Sequence, residues 1–246
     1  GIKDDHIISI ALDDYGNKHL LDPDELYRHV KSLITDNGDY YILLDEIQLV
    51  KAFESVVNGF MHIPNADIYV TGSNSKFLSS DVITEFRGRG DEIRVYPLNF
   101  SEFYSAYGGD FNNAWLMFCN YGGMPLCLSM QTQKDKATYL TNLFATTYLA
   151  DIINRNNLRG NVEINELTDI LASSIGSLTN PLKLSNTFGS TKNVKLSANT
   201  ISAYLGYLQD AFLIEKALRF DIKGKRYINT PAKYYFVDMG LRNARL

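Results

Sequence analysis

Two adjacent carboxylates, Asp45 and Glu46, follow directly on the apolar run Tyr40-Tyr41-Ile42-Leu43-Leu44. A second apolar run, Ile68-Tyr69-Val70, leads into Thr71-Gly72-Ser73-Asn74-Ser75. Residue types in this order suit hydrolysis of a nucleotide. A parallel strand buried on both faces must be apolar throughout, as Ile42 to Leu44 are, and its carboxylates emerge in the crevice beyond the sheet's carboxyl edge. There Asp45 can hold a hydrated Mg²⁺ while Glu46 polarises an attacking water. An apolar strand that merely ends in Asp-Glu explains the first run equally well, and it is the second run that favours the nucleotide. Asn74 or Ser73 can present an amide or hydroxyl to the γ-phosphate and its water, although an ordinary turn uses the same residues.

Two further stretches carry the same chemistry with open alternatives. In Phe86-Arg87-Gly88-Arg89-Gly90, a guanidinium on a glycine-flanked loop is suited to stabilise charge on a transferring phosphoryl group. A solvated arginine pair is the plainer account. Gly122-Gly123-Met124-Pro125 breaks a helical region and lets backbone approach something closely, a nucleotide base or simply the next core helix. No G-x-x-x-x-G-K-[ST] run occurs. The only Gly-Lys step, Gly224-Lys225, has Arg219 in place of the first glycine and Arg226 in place of Ser or Thr. A phosphate loop, with its strand and helix, is therefore expected upstream of Gly1.

The elements that must position these residues alternate at first. Strands are expected over 7–12, 40–44 and 67–71, with helices over 22–34 and 50–60 and a final strand over Asp91 to Tyr96. That alternation defines an α/β fold with a parallel sheet. Asp22 is a good N-cap with Pro23 at the first helical position. After Pro97 the pattern turns helical, with runs around 101–107, 115–118 and 139–153. From 163 onward come helices over 164–175, near 182–188 and over 197–211. Strands around 212–220 and 234–237 follow. Three helices and a two-stranded ribbon predict a winged helix. Domains are accordingly expected at 1–106, a truncated ATPase-like core; 107–160, a helical lid; and 161–246, the winged helix.

The chain has 246 residues, is 45% hydrophobic and carries a net charge of −4. This supports a globular core and excludes a disordered or collagenous chain. The longest apolar stretch, 114–130, is interrupted by Asn120, Gly122, Gly123 and Pro125 and makes a poor membrane span. Cys119 and Cys127 lack metal-ligand spacing and read as reduced core thiols of a cytoplasmic protein. His6, His19, His29 and His62 are scattered. Charge is uneven: residues 1–110 hold 9 Lys/Arg against 19 Asp/Glu, and residues 183–246 hold 11 against 4. Lys216, Arg219, Lys223, Lys225, Arg226 and Lys233 fall on the expected ribbon, where a basic surface can meet DNA phosphates or remain a solvated face.

The strings Tyr41-Ile42-Leu43-Leu44-Asp45-Glu46-Ile47-Gln48, Ile68 to Ser75, Arg87-Gly88-Arg89 leading to Val95 through Phe103, Gly122-Gly123-Met124-Pro125, Asp221 to Lys225 and Lys233 to Asn243 occur in an order that resembles one family. It is the bacterial and archaeal ATPases of the AAA superfamily that join a P-loop domain to a winged helix and a restriction-endonuclease-like domain of unknown function. The resemblance implies ATP and Mg²⁺ as cofactors, with Asp45 as magnesium ligand, Glu46 as catalytic base and Asn74 or Ser73 as sensor. It further implies Arg87 or Arg89 as a finger reaching a neighbouring subunit of a homo-oligomer, and Gly123 and Pro125 beside the nucleotide. The expected parent protein couples ATP hydrolysis to conformational change in a nucleic-acid or protein partner and continues past Leu246, whereas this chain alone is expected to be inactive. The alternative is a non-catalytic winged-helix DNA-binding or regulatory protein in which the sheet is a scaffold.

Overall fold

Asp22 accepts hydrogen bonds from the backbone N–H groups of Asp24 and Glu25, both at 3.0 Å, and Pro23 follows it, so a helix starts where the sequence places it. This helix, α1 (Pro23–Leu33), belongs to a computed structural model that describes residues 3–72, 86, 89–158, 162–192, 196–218 and 231–246. The chain forms two units, Gly1–Ile93 and Arg94–Leu246.

In the first unit, β1 (Ile7–Ala11), β2 (Tyr40–Asp45) and β3 (Ala66–Val70) form a parallel sheet in the order β1-β2-β3. Its register sets Ala11 opposite Asp45 and Leu44 opposite Val70. Short helical turns and α2 (Phe53–Phe60) are the other described elements of the unit. Ile8, Ile10, Tyr40, Ile42 and Leu44 pack with Leu26 and Val30 of α1 and with Phe53, Val56, Val57 and Phe60 of α2 in one core. Burial of this kind stabilises by about 25 cal/mol per Å² of apolar surface. The expectation of a strand buried on both faces fails here. Leu43 is 39% exposed, Ile7 44% and Tyr69 51%, so among the described residues the helices cover only one face. Because side chains alternate along a strand, the residues between the buried positions lie on the open face.

The second unit holds α3 (Phe100–Tyr107), α4 (Phe111–Tyr121), α5 (Leu126–Ser129), α6 (Gln133–Asn142), α7 (Ala150–Arg155), α8 (Val162–Ser173), α9 (Pro181–Lys192) and α10 (Ala198–Asp210). After these come the antiparallel pair β4 (Ile214–Ala217) and β5 (Lys233–Phe236), then α11 (Met239–Asn243). Asn99 and Glu102 close a reciprocal capping box on α3, and Ser197 caps α10. One core takes Cys127, Leu140, Phe144 and Leu149 together with Leu167, Phe188, Ile201, Leu205, Leu208, Leu213 and Phe236. The stretches expected as lid and as winged helix thus share a single interior.

Two expectations are corrected. Asp91 to Tyr96 is not a strand: Ile93 is 83% and Val95 93% exposed, and alternation alone supplies no partner to pair with. The helix expected over 139–153 is three segments, because Leu143–Leu149 winds as a π-helix between α6 and α7. The wider turn changes the backbone bonding without interrupting the apolar stripe, which is why periodicity does not reveal it.

Candidate functional site

The parallel register brings the ends of β2 and β3 together at the sheet's carboxyl edge. Thr71 N–H donates to the Leu44 carbonyl at 2.9 Å, and Ile47 N–H donates to the Thr71 carbonyl at 3.2 Å. Between these backbone bonds, the Thr71 hydroxyl donates to Asp45 Oδ1 and accepts from Glu46 N–H at 3.2 Å. On the other side, Leu12 N–H donates to the Asp45 carbonyl at 3.1 Å. Asp45 therefore projects from a backbone fixed on both flanks, and its carboxylate is exposed.

Glu46 turns the chain out of the strand with φ 55° and ψ 42°. A non-glycine residue in this left-handed conformation costs on the order of 1 kcal/mol or more, and such strain clusters at functional sites. The Glu46 carboxylate accepts from Gln48 Nε2, while the other end of that amide, Oε1, is buried with no hydrogen-bond partner among the described residues. The pair of carboxylates and the threonine hydroxyl are hard oxygen donors of the type Mg²⁺ takes while keeping several waters. Thr71 escapes a sequence reading that looks one turn further along. Ser73, Asn74 and Arg87 lie outside the described residues.

Arg89 is exposed. Its Nη2 donates to Asn58 Oδ1 of α2 at 2.9 Å and its Nε to the Phe86 carbonyl at 3.3 Å, so the guanidinium is anchored within the first unit. In the second unit, Gly122 and Gly123 are buried and Pro125 is exposed. Gly123 N–H donates to Asp238 Oδ2 at 2.6 Å, and its carbonyl accepts from Leu98 N–H at 2.9 Å. The Gly123 amide is therefore already engaged. Of the six basic residues expected on the ribbon, Arg219, Lys223, Lys225 and Arg226 lie outside the described residues. Lys216 is opposite Tyr234 and Lys233 opposite Ala217, which puts the two lysines on opposite faces of the β4–β5 pair. They do not form one patch with each other.

Among the described residues no group of three or more His, Cys, Asp and Glu could hold a metal ion. Burial pushes the Cys127 thiol up to about 11 and makes it an unreactive core group. Among the described residues no helix is long and apolar enough to cross a membrane.

A family profile described as "AAA domain" matches residues 2–104, the part of the chain with the parallel sheet and with Asp45, Glu46 and Thr71 at its carboxyl edge, and supports a relationship of this part to the AAA superfamily. A second profile, "Domain of unknown function (DUF8612)", matches residues 112–246, more than half of the chain, and the chain belongs to that family. An uncharacterized protein of Haemophilus influenzae is 35% identical over 98% of this chain and 62% of its own length. Another, from Methanocaldococcus jannaschii, is 27% identical over 96% of this chain and 53% of its own. The chain thus spans somewhat over half the length of these relatives. A solved structure of the Aeropyrum pernix ORC1 protein in complex with DNA aligns at 12% identity and a TM-score of 0.32, covering 97% of this chain and 76% of that one.

Proposed function

We propose that the full-length protein is an AAA-type ATPase that hydrolyses Mg-ATP at the carboxyl edge of the β1–β3 sheet and converts the reaction into conformational change in a nucleic-acid or protein partner. The observation that carries this reading is the Thr71 hydroxyl, which holds the Asp45 carboxylate and the backbone N–H of Glu46 where two parallel strands end. Asp45 would hold the hydrated metal, which supplies charge neutralisation at the transferring phosphoryl group. Glu46, oriented by Gln48, accepts the proton of the attacking water. Ser73 or Asn74 orients that water, and Arg87 or Arg89 offers positive charge from the loop ahead of residue 90.

Within the same proposal, residues 161–246 act as a winged helix that meets a partner. Three helices leading into an antiparallel ribbon, with a basic surplus over 183–246, favour duplex phosphates over base edges, since α10 carries no Lys or Arg. Salt-sensitive binding to random duplexes supports this role, and salt-insensitive or absent binding favours a protein partner.

The test separates the two carboxylates in the full-length protein. Glu46→Gln keeps the shape but cannot take a proton, so turnover should fall by roughly 10²-fold or more with ATP affinity retained. Asp45→Ala should weaken magnesium-dependent ATP binding as well. Equal loss of binding in both variants would make the carboxylates structural and end the proposal.

A further inference from the structure

The string Asp238-Met239-Gly240-Leu241-Arg242-Asn243 has no part in the proposed chemistry, yet its side chains bond the backbone at Cys119, Asn120, Gly123 and Ala172. Asp238 is only 4% exposed. Its Oδ2 accepts from Gly123 N–H at 2.6 Å and its Oδ1 from Leu241 N–H at 2.9 Å, with the Gly240 amide as a further donor. The first of these bonds reaches back across the chain to the Gly122-Gly123 turn, and the others cap α11.

Sterics close the same contact from both sides. Gly122 has φ 70°, and a Cβ there would run into both carboxylate oxygens of Asp238. A Cβ on Gly123 would strike the Leu98 carbonyl, and one on Gly240 would strike the Tyr121 carbonyl. Asn243 Nδ2 then donates to the Cys119 and Asn120 carbonyls at 2.9 and 3.0 Å, satisfying acceptors that the end of α4 leaves open. Arg242 Nε reaches the Ala172 carbonyl at 3.0 Å near the end of α8. Three glycines, one buried carboxylate and one amide are thus spent on a single corner.

We propose that Asp238 is the positioning residue of the Gly122–Pro125 turn, with Asn243 holding the helix end behind it, so that residues 238–243 set the backbone that Gly123 and Pro125 present. Asp238 acts through the amide of Gly123, and the strand β5 ends only two residues before it, so displacement of the ribbon and setting of the turn share one short path.

Hydrogen exchange on the full-length protein tests this, read separately over residues 118–126, 238–246, 162–173 and 198–210. Asp238→Asn should speed exchange about tenfold or more in the first two windows while α8 and α10 keep their protection, because one of two amides loses its acceptor. Asp238→Glu should recover part of that protection. Should Asp238→Asn fail to fold, Asn243→Ala is expected to loosen 118–126 and 238–246 by the same pattern. Unchanged exchange over 118–126, or a uniform rise in all four windows, would overturn the proposal.

Discussion

The Thr71 hydroxyl serves both neighbours of the site, donating to Asp45 and accepting from the Glu46 amide. Thr71→Val keeps the β-branched shape and removes both bonds. The residue is exposed, so the stability cost should be modest, about 1 kcal/mol by urea denaturation. The cost to ATP turnover in the full-length protein should be larger, because Glu46 sits in a left-handed conformation that its neighbours must hold. A variant with unchanged turnover would remove Thr71 from the site. The place of Asp45 and Glu46 at the sheet's carboxyl edge is legible from sequence because a strand-length apolar run ends at them. That of Thr71 is not, because pairing Leu44 with Val70 is a matter of register, and register is set by packing that a linear pattern does not display.

The elements divide by whether their signals are local. Strands β1 to β3 and helices α1, α3 and α10 were readable since caps and hydrophobic period lie within each segment. The Asp91 to Tyr96 stretch has the alternation of a strand but forms no ladder among the described residues, and the unit boundary at Ile93 falls inside it. The α11 cap is the least local of all, for Asp238 serves its own helix and a turn far behind it in sequence. Burial pushes the Asp238 carboxyl above the ordinary carboxylate value, while the amides of Gly123, Leu241 and Gly240 pull it part of the way back. A folded state that raises the pKa of an acid binds the proton more tightly. The contribution is therefore fully present below the unfolded value of about 3.9 and is lost as pH rises through the folded value. Cys127, Tyr139 and Tyr148 face the same carboxylate; burial, more than Asp238, raises all three further above neutrality, so they stay uncharged across this window. Asp238→Asn cannot titrate. The stability advantage of wild type over Asp238→Asn should shrink as pH climbs from below 4 toward neutrality, measured by urea midpoints across a pH series. An advantage that grows instead would mean the amide bonds outweigh burial.

At the scale of the molecule, each unit has an interior built from its own residues: Tyr40, Ile42, Leu44 and Phe60 in the first, and Phe144, Leu167, Phe188 and Leu205 in the second. A cavity should therefore act first on the unit that contains it. Leu44→Ala removes a fully buried side chain from the sheet and should cost the first unit roughly 2–5 kcal/mol, and Phe188→Ala should cost the second roughly 3–5 kcal/mol. The single tryptophan, Trp115, lies on α4 in the second unit, so its fluorescence reports that unit, whereas far-ultraviolet circular dichroism reports both. Leu44→Ala should lower the midpoint of part of the dichroism transition with a smaller shift in Trp115 fluorescence, and Phe188→Ala should move the fluorescence transition directly. Such divergence of probes is the mark of unfolding that is not two-state, the behaviour expected of a chain with two cores. If both variants shift both probes by the same amount, the two interiors unfold as one, and a nucleotide bound at the edge of the first would stabilise the second by the same free energy.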